Sequence, residues 1–106
     1  MFARKVYIHL KPYSIAELTQ RLEREVLPLL RKQKGFQDEL AFVGQSGTEA
    51  FGISLWDTAE NAEAYNRTTY AEVTKILATV VDGAPHVETY DVANSTFHKI
   101  AVAVTA

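Results

Sequence analysis

Few side chains in this sequence can carry acid–base chemistry near neutral pH. There are three histidines and five tyrosines, and cysteine is absent. Tyr65 and Tyr70 lie in an alanine-rich stretch, TAENAEAYNRTTYAEVTKILATV, whose apolar spacing is helical. A phenol held there can donate a hydrogen bond to a developing anion or, once ionised, accept a proton. They are the catalytic candidates, together with His9 in an extended segment near the start. His9 and His86 fall in strands that can be neighbours in a sheet. With no clustered carboxylates they make no metal site, and the ordinary fate of such histidines is a partly exposed strand position. His98 lies in the tail, where it can reach a partner. No phosphate-binding glycine loop, nucleophile elbow or zinc helix motif occurs.

The elements that must position these residues follow from periodicity and turn chemistry. Arg4 to Leu10 alternates as a strand, with Val6, Ile8 and Leu10 on one face and Lys5, Tyr7 and His9 on the other. Ser14 with Glu17 reads as a capping box opening an amphipathic helix, on which Ile15, Leu18, Leu22, Val26 and Leu29 form the apolar stripe. Pro28 removes the N–H that would reach the carbonyl of Arg24, which predicts a kink or a short second helical piece. Gly35 closes the helix. Phe36 to Gln45 and Glu49 to Trp56 form a hairpin around SGTE. Asp57 with Glu60, or Thr58 alone, caps the next helix. It breaks near Arg67 and restarts at Thr69, which with Glu72 makes a further capping box. DGAP is the exit turn, His86 to Ala93 a fourth strand, and HKIAVAVTA an extended apolar tail.

The order β-α-β-β-α-β predicts one α+β domain spanning residues 1–106, a ferredoxin-like antiparallel sheet with two helices on one face. A sheet covered on one side should alternate apolar with polar residues. The third strand does not: Phe51, Ile53 and Leu55 oppose Gly52, Ser54 and Trp56. The second apolar face predicts a homodimer packed sheet to sheet. On the other face, Gly52 and Ser54 leave room under the helices, and Trp56 closes one end of it. Packing alone also accounts for these three residues, with Gly52 admitting a helix and Trp56 filling the core.

Formal net charge is −2, with acids and bases interspersed. Arg21, Arg24, Arg31, Lys32 and Lys34 read as a solvated helix face, so no nucleic-acid partner is expected. The opening residues MFARKVYIHL alternate and do not resemble a signal peptide, and no stretch approaches a bilayer span. The expected location is cytoplasmic, without membrane contact.

LPLLRKQKGF, followed a strand later by GISLWDTAENAEAY, resembles the antibiotic biosynthesis monooxygenase family of dimeric α/β barrels. Gly35, Phe36, Trp56, Asp57, Thr58, Ala64 and Tyr65 carry the resemblance, and element order and length extend it over nearly the whole chain. It implies a cavity between sheet and helices in each subunit, with two sheets packed into a barrel. Members include cofactor-free oxygenases that turn aromatic polyketides into quinones, and heme-degrading enzymes. The function it implies here is cofactor-independent monooxygenation of a small aromatic molecule. Trp56, Ser54, Gly52 and Asn66 are the implied substrate-binding residues, and no metal or cofactor is expected. Asn66 stands where a heme-degrading relative places its iron-binding histidine, and Val6 nearest that group's polar strand-one residue. Gly52 and Ala62 fall where the oxygenases carry a polar residue and a tyrosine, with Ser54 or Tyr65 as substitutes. The alternative to an enzyme is a ligand-binding or stress-response protein that uses the same cavity.

Overall fold

The computed structural model describes residues 1–100. Strand β1 (Phe2–Leu10) leads into α1 (Ile15–Arg21), a π-helical turn (Leu22–Val26) and α2 (Leu27–Arg31). The hairpin β2 (Phe36–Val43) and β3 (Glu49–Trp56) follows, then α3 (Ala59–Thr68), α4 (Tyr70–Leu77) and β4 (Val81–Asp91). All pairings are antiparallel, in the order β2-β3-β1-β4. This is the ferredoxin-like α+β arrangement, with the first helical unit made of three pieces rather than one rod. The expected break at Pro28 is present, displaced one turn upstream. With no proline N–H to meet the Arg24 carbonyl, the helix widens over Leu22–Val26 before it restarts.

The caps differ in detail from those expected. Ser14 makes no side-chain cap, and its hydroxyl instead lies 3.4 Å from the carbonyl of Pro12. Glu17 is drawn away by Arg21 at 3.0 Å and Thr79 at 2.8 Å. Thr58 caps α3 by accepting from the Asn61 N–H at 3.2 Å. Thr69 interrupts the second helical unit but caps nothing with its side chain. Gly35 has φ +82, and a Cβ there would lie 2.1 Å from Asp57 Oδ1. Only glycine lets the α2–β2 turn sit against the start of α3.

Two expectations about strands are corrected. DGAP is not an exit turn but lies inside β4. Val81 and Asp82 already pair with Leu10 and His9, and the chain then shifts register before His86 meets Tyr7. Gly83, at φ +81, allows that irregularity. Ala93 lies beyond the strand, which ends at Asp91. Most of the apolar tail, residues 101–106, lies outside the described residues.

The helices cover one face of the sheet. Val26, Leu30, Trp56, Ala62, Tyr65 and Val73 form one buried cluster, and Ile8, Leu10, Leu18, Ala50 and Val80 a second. Leu22 and Leu77 pack against both. No helix among the described residues is long and apolar enough to cross a membrane.

Candidate functional site

A cavity of about 240 Å³ lies between sheet and helices, with walls drawn from both buried clusters. Its existence follows from side-chain size. Ala41, Ala50, Gly52 and Ser54 line the sheet side, and none is large enough to reach the helices. A Cβ on Gly52 would meet nothing closer than 3.8 Å, so this glycine is not demanded by a tight helix contact. It leaves space. The π-helical turn sets Leu22 and Val26 against the opposite wall. Ala41 is both cavity-lining and exposed, so the cavity opens beside the edge strand β2.

A polar row crosses this apolar space. Glu39 on β2 pairs with Ser54 on β3, and Ser54 with Arg4 on β1, so the three side chains share one sheet face. Glu39 Oε1 lies 3.8 Å from where a Gly52 Cβ would be, so the carboxyl leans over the glycine. Burial raises its pKa above the ordinary 4.5. Arg4 is only 4 % exposed. Its Nη2 donates to Asn66 Oδ1 at 2.8 Å, and its guanidinium carbon lies 4.0 Å from the Tyr70 ring centroid and 5.4 Å from that of Tyr65. Among the described residues it makes no ion pair.

The sequence candidates divide into three groups. Ser54, Gly52, Tyr65 and Tyr70 all line the cavity. Trp56 does not. It is fully buried, tilted against Tyr65 at 5.0 Å and edge-on to Phe36 at 5.6 Å. Its Nε1–H donates to Ser54 Oγ at 2.9 Å, so it sets the serine from behind the cavity wall. The tryptophan ties β3 to α3 and reaches the cavity only through that hydroxyl. Asn66 is exposed on α3 and borders a smaller recess of about 90 Å³ with Phe2, Ala62 and Thr89, where it holds Arg4.

His9, the third catalytic candidate, does not line the cavity. Strand alternation turns it to the face away from the helices, where it is exposed and edge-on to Tyr7 at 5.2 Å. His86 lies opposite Tyr7 on that same outer face, and His98 contacts Asp38 of its own chain. Tyr65 does line the cavity, but burial opposes its ionisation. Burial pushes its phenol up to about 12, outweighing the opposing pull of the Arg4 charge. At neutral pH it is a hydrogen-bonding group.

Arg4 and Glu39 are the residues that sequence reasoning missed. Arg4 carried a signal, because it shares a strand face with Val6, Ile8 and Leu10. Glu39 did not. Phe36 opposes Trp56, but Asp38 opposes Leu55, so Gln37 is an extra residue that inverts the alternation of β2.

No protein-family model and no curated protein sequence matches the chain. Solved structures do. A Nitrosomonas europaea protein of unknown function superposes with TM-score 0.73 at 19 % identity, covering 90 % of this chain and 91 % of that one. SnoaB, a cofactor-independent oxygenase from Streptomyces nogalater solved in mutant form, gives TM-score 0.73 at 9 % identity, with coverage of 90 % and 95 %. A structure named antibiotic biosynthesis monooxygenase gives 0.68 at 17 %, with 87 % and 98 % covered. At such identities the likeness is one of fold. This chain therefore has the ferredoxin-like α+β fold of solved structures that bear the antibiotic biosynthesis monooxygenase name.

Proposed function

We propose that the protein is a cofactor-independent monooxygenase acting on a small hydroxylated aromatic bound between sheet and helices. The observation that carries this reading is a carboxyl of raised pKa, Glu39, at the wall of a largely apolar cavity. A partly desolvated carboxylate is a stronger base than one in water, and a phenol is the kind of acid it can help to ionise. The phenolate of a naphthol-like substrate is electron-rich enough to react with O2 itself. Carbon para to the oxygen forms a C–O bond. The resulting peroxide loses water as its O–O bond breaks, leaving a quinone. One oxygen atom of O2 stays in the product and the other leaves as water, so the substrate supplies all the electrons. Glu39 takes the phenolic proton, Ser54 and the phenols of Tyr65 and Tyr70 hydrogen-bond the anion, and the aliphatic walls exclude water.

Heme does not fit this cavity. Its volume of about 240 Å³ lies below the range of drug-sized ligand sites, and a porphyrin is larger still. The helices that bear its phenols hold no histidine, and Tyr65, with its pKa pushed up to about 12, is a poor source of an iron-binding phenolate.

The same reading includes a homodimer formed through the outer sheet face. Phe42 and Phe51 stack there at 4.7 Å, and Leu40, Phe42 and Tyr90 are each more than 40 % exposed. A second copy would bury this surface. Sedimentation at micromolar concentration should give a dimer that Phe42→Glu converts to a folded monomer. A wild-type monomer rejects the dimer.

Oxygen uptake with 1-naphthol, followed with an electrode and by quinone absorbance, tests the reaction. Turnover should be lost in Glu39→Gln. Saturable binding without oxygen uptake would make the protein a ligand-holding module instead.

A further inference from the structure

We infer that Arg4 is an anchor for an acidic group, and that the cavity takes a small aromatic carboxylic acid whose carboxylate meets this guanidinium. The inference rests on the reading of the cavity as a ligand site and adds to it the class of ligand.

A buried guanidinium is costly unless its charge is answered and its N–H groups are used. Arg4 has five N–H donors, of which one hydrogen bond is accounted for, to the neutral side-chain amide of Asn66. The Tyr70 and Tyr65 rings stand 4.0 and 5.4 Å from the guanidinium carbon, but a ring face does not neutralise a full charge. Among the described residues no carboxylate lies within ion-pair distance. The acid that shares the cavity, Glu39, stands two strands away, a backbone separation of about 10 Å. Ser54 stands between them. Glu63 borders the smaller recess with Arg4 and Asn66, but it is not within ion-pair distance of Arg4 and instead meets Arg67 at 3.8 Å. Arg4 is thus held by Asn66 beside two aromatic rings, and its charge is left for something else to answer.

The ligand has to supply that charge. A planar carboxylate matches the guanidinium fork in two parallel hydrogen bonds. Beyond it the walls are aliphatic and aromatic, which calls for a ring system, and the volume admits one or two fused rings. At the far end of the polar row stands Glu39. A ligand spanning the row therefore carries its carboxylate at Arg4 and its ionisable hydroxyl near Glu39, as a hydroxyaryl carboxylic acid does. Such a molecule would be oriented by one charge and deprotonated by another.

The probes are 6-hydroxy-2-naphthoate, with acid and hydroxyl at opposite ends, and the neutral 6-hydroxy-2-naphthamide. Calorimetric titration of the full chain under argon should give about tenfold to a hundredfold tighter binding of the acid, the worth of a charge-assisted hydrogen bond. Arg4→Gln should remove the preference, bringing the acid to about the affinity of the amide. Arg4→Lys, which keeps the charge, should retain part of the preference and serves where the glutamine variant does not fold. Equal affinity of the two probes for the wild type overturns the anchor and leaves the cavity reading standing. Binding of neither overturns the cavity reading itself, and the anchor with it.

Discussion

Arg4 and Glu39 face one cavity from strands two places apart in the sheet, and they do not pair. The hydroxyl of Ser54, held by the Trp56 indole at 2.9 Å, lies in the row between them. A cation and an anion kept apart across an apolar space are poorly compensated by each other. Each leaves a measurable trace in stability or binding.

Glu39 should make stability depend on pH. Burial raises its folded pKa above the ordinary 4.5, so the native state holds this proton more tightly than the unfolded chain does. Its contribution is most favourable below the unfolded pKa and is lost as pH rises through the folded value. Glu39→Gln should therefore melt higher than the wild type at pH 8, with the gap closing by about pH 4. Thermal melts of both proteins across that range check this. A gap that widens on acidification would refute it.

Tyr65 should be silent in an ordinary alkaline titration. With its phenol pushed up to about 12, ultraviolet difference spectra of wild type against Tyr65→Phe should show no phenolate signal from this residue at pH 10. A phenolate signal there would mean that the Arg4 charge outweighs burial.

Filling the space over Gly52 should separate binding from folding. The nearest atoms to a Cβ at this position are 3.8 Å away, so Gly52→Ala should fold normally. Gly52→Leu should lower the affinity for 6-hydroxy-2-naphthoate by about tenfold or more, from lost volume, with the melting temperature held or raised. Loss of folding in the alanine variant would show that the glycine serves backbone packing.

Trp56→Phe removes the indole donor and part of a fully buried ring. The lost hydrogen bond and the cavity left behind should together cost about 1–3 kcal/mol by urea denaturation. Because the side chain stands behind the cavity wall, probe affinity should fall less than in Gly52→Leu. The reverse ranking would place the indole in contact with ligand.

Much of the fold is legible in single residues. Pro28 announces the interruption in the first helical unit, and Gly35 and Gly47 have the positive φ that their turns require. The alternation of Phe51, Ile53 and Leu55 against Gly52 and Ser54 assigns the two faces of β3, and with them the small side chains that leave a cavity. These features are local, set by the covalent structure of a residue and its nearest neighbours. The position of Trp56 was local too, but its role was not. Whether an indole lines a cavity or lies behind it depends on where Tyr65 and Phe36 arrive from other elements.

The chemistry of the candidate site was decided further away in the chain. One extra residue at Gln37 turns Glu39 inward and Leu40 outward, and strand alternation read through that bulge assigns the opposite faces. Arg4 reads from sequence as one charge on an apolar strand face. What makes it a candidate anchor is the arrival of Asn66 and Tyr70 from the second helical unit, with no carboxylate within ion-pair distance of the guanidinium among the described residues. Sequence determined which side chains carry charge, and for Arg4 the face it lies on. Only tertiary structure decided which charges went unanswered, because pairing depends on distances between segments more than sixty residues apart.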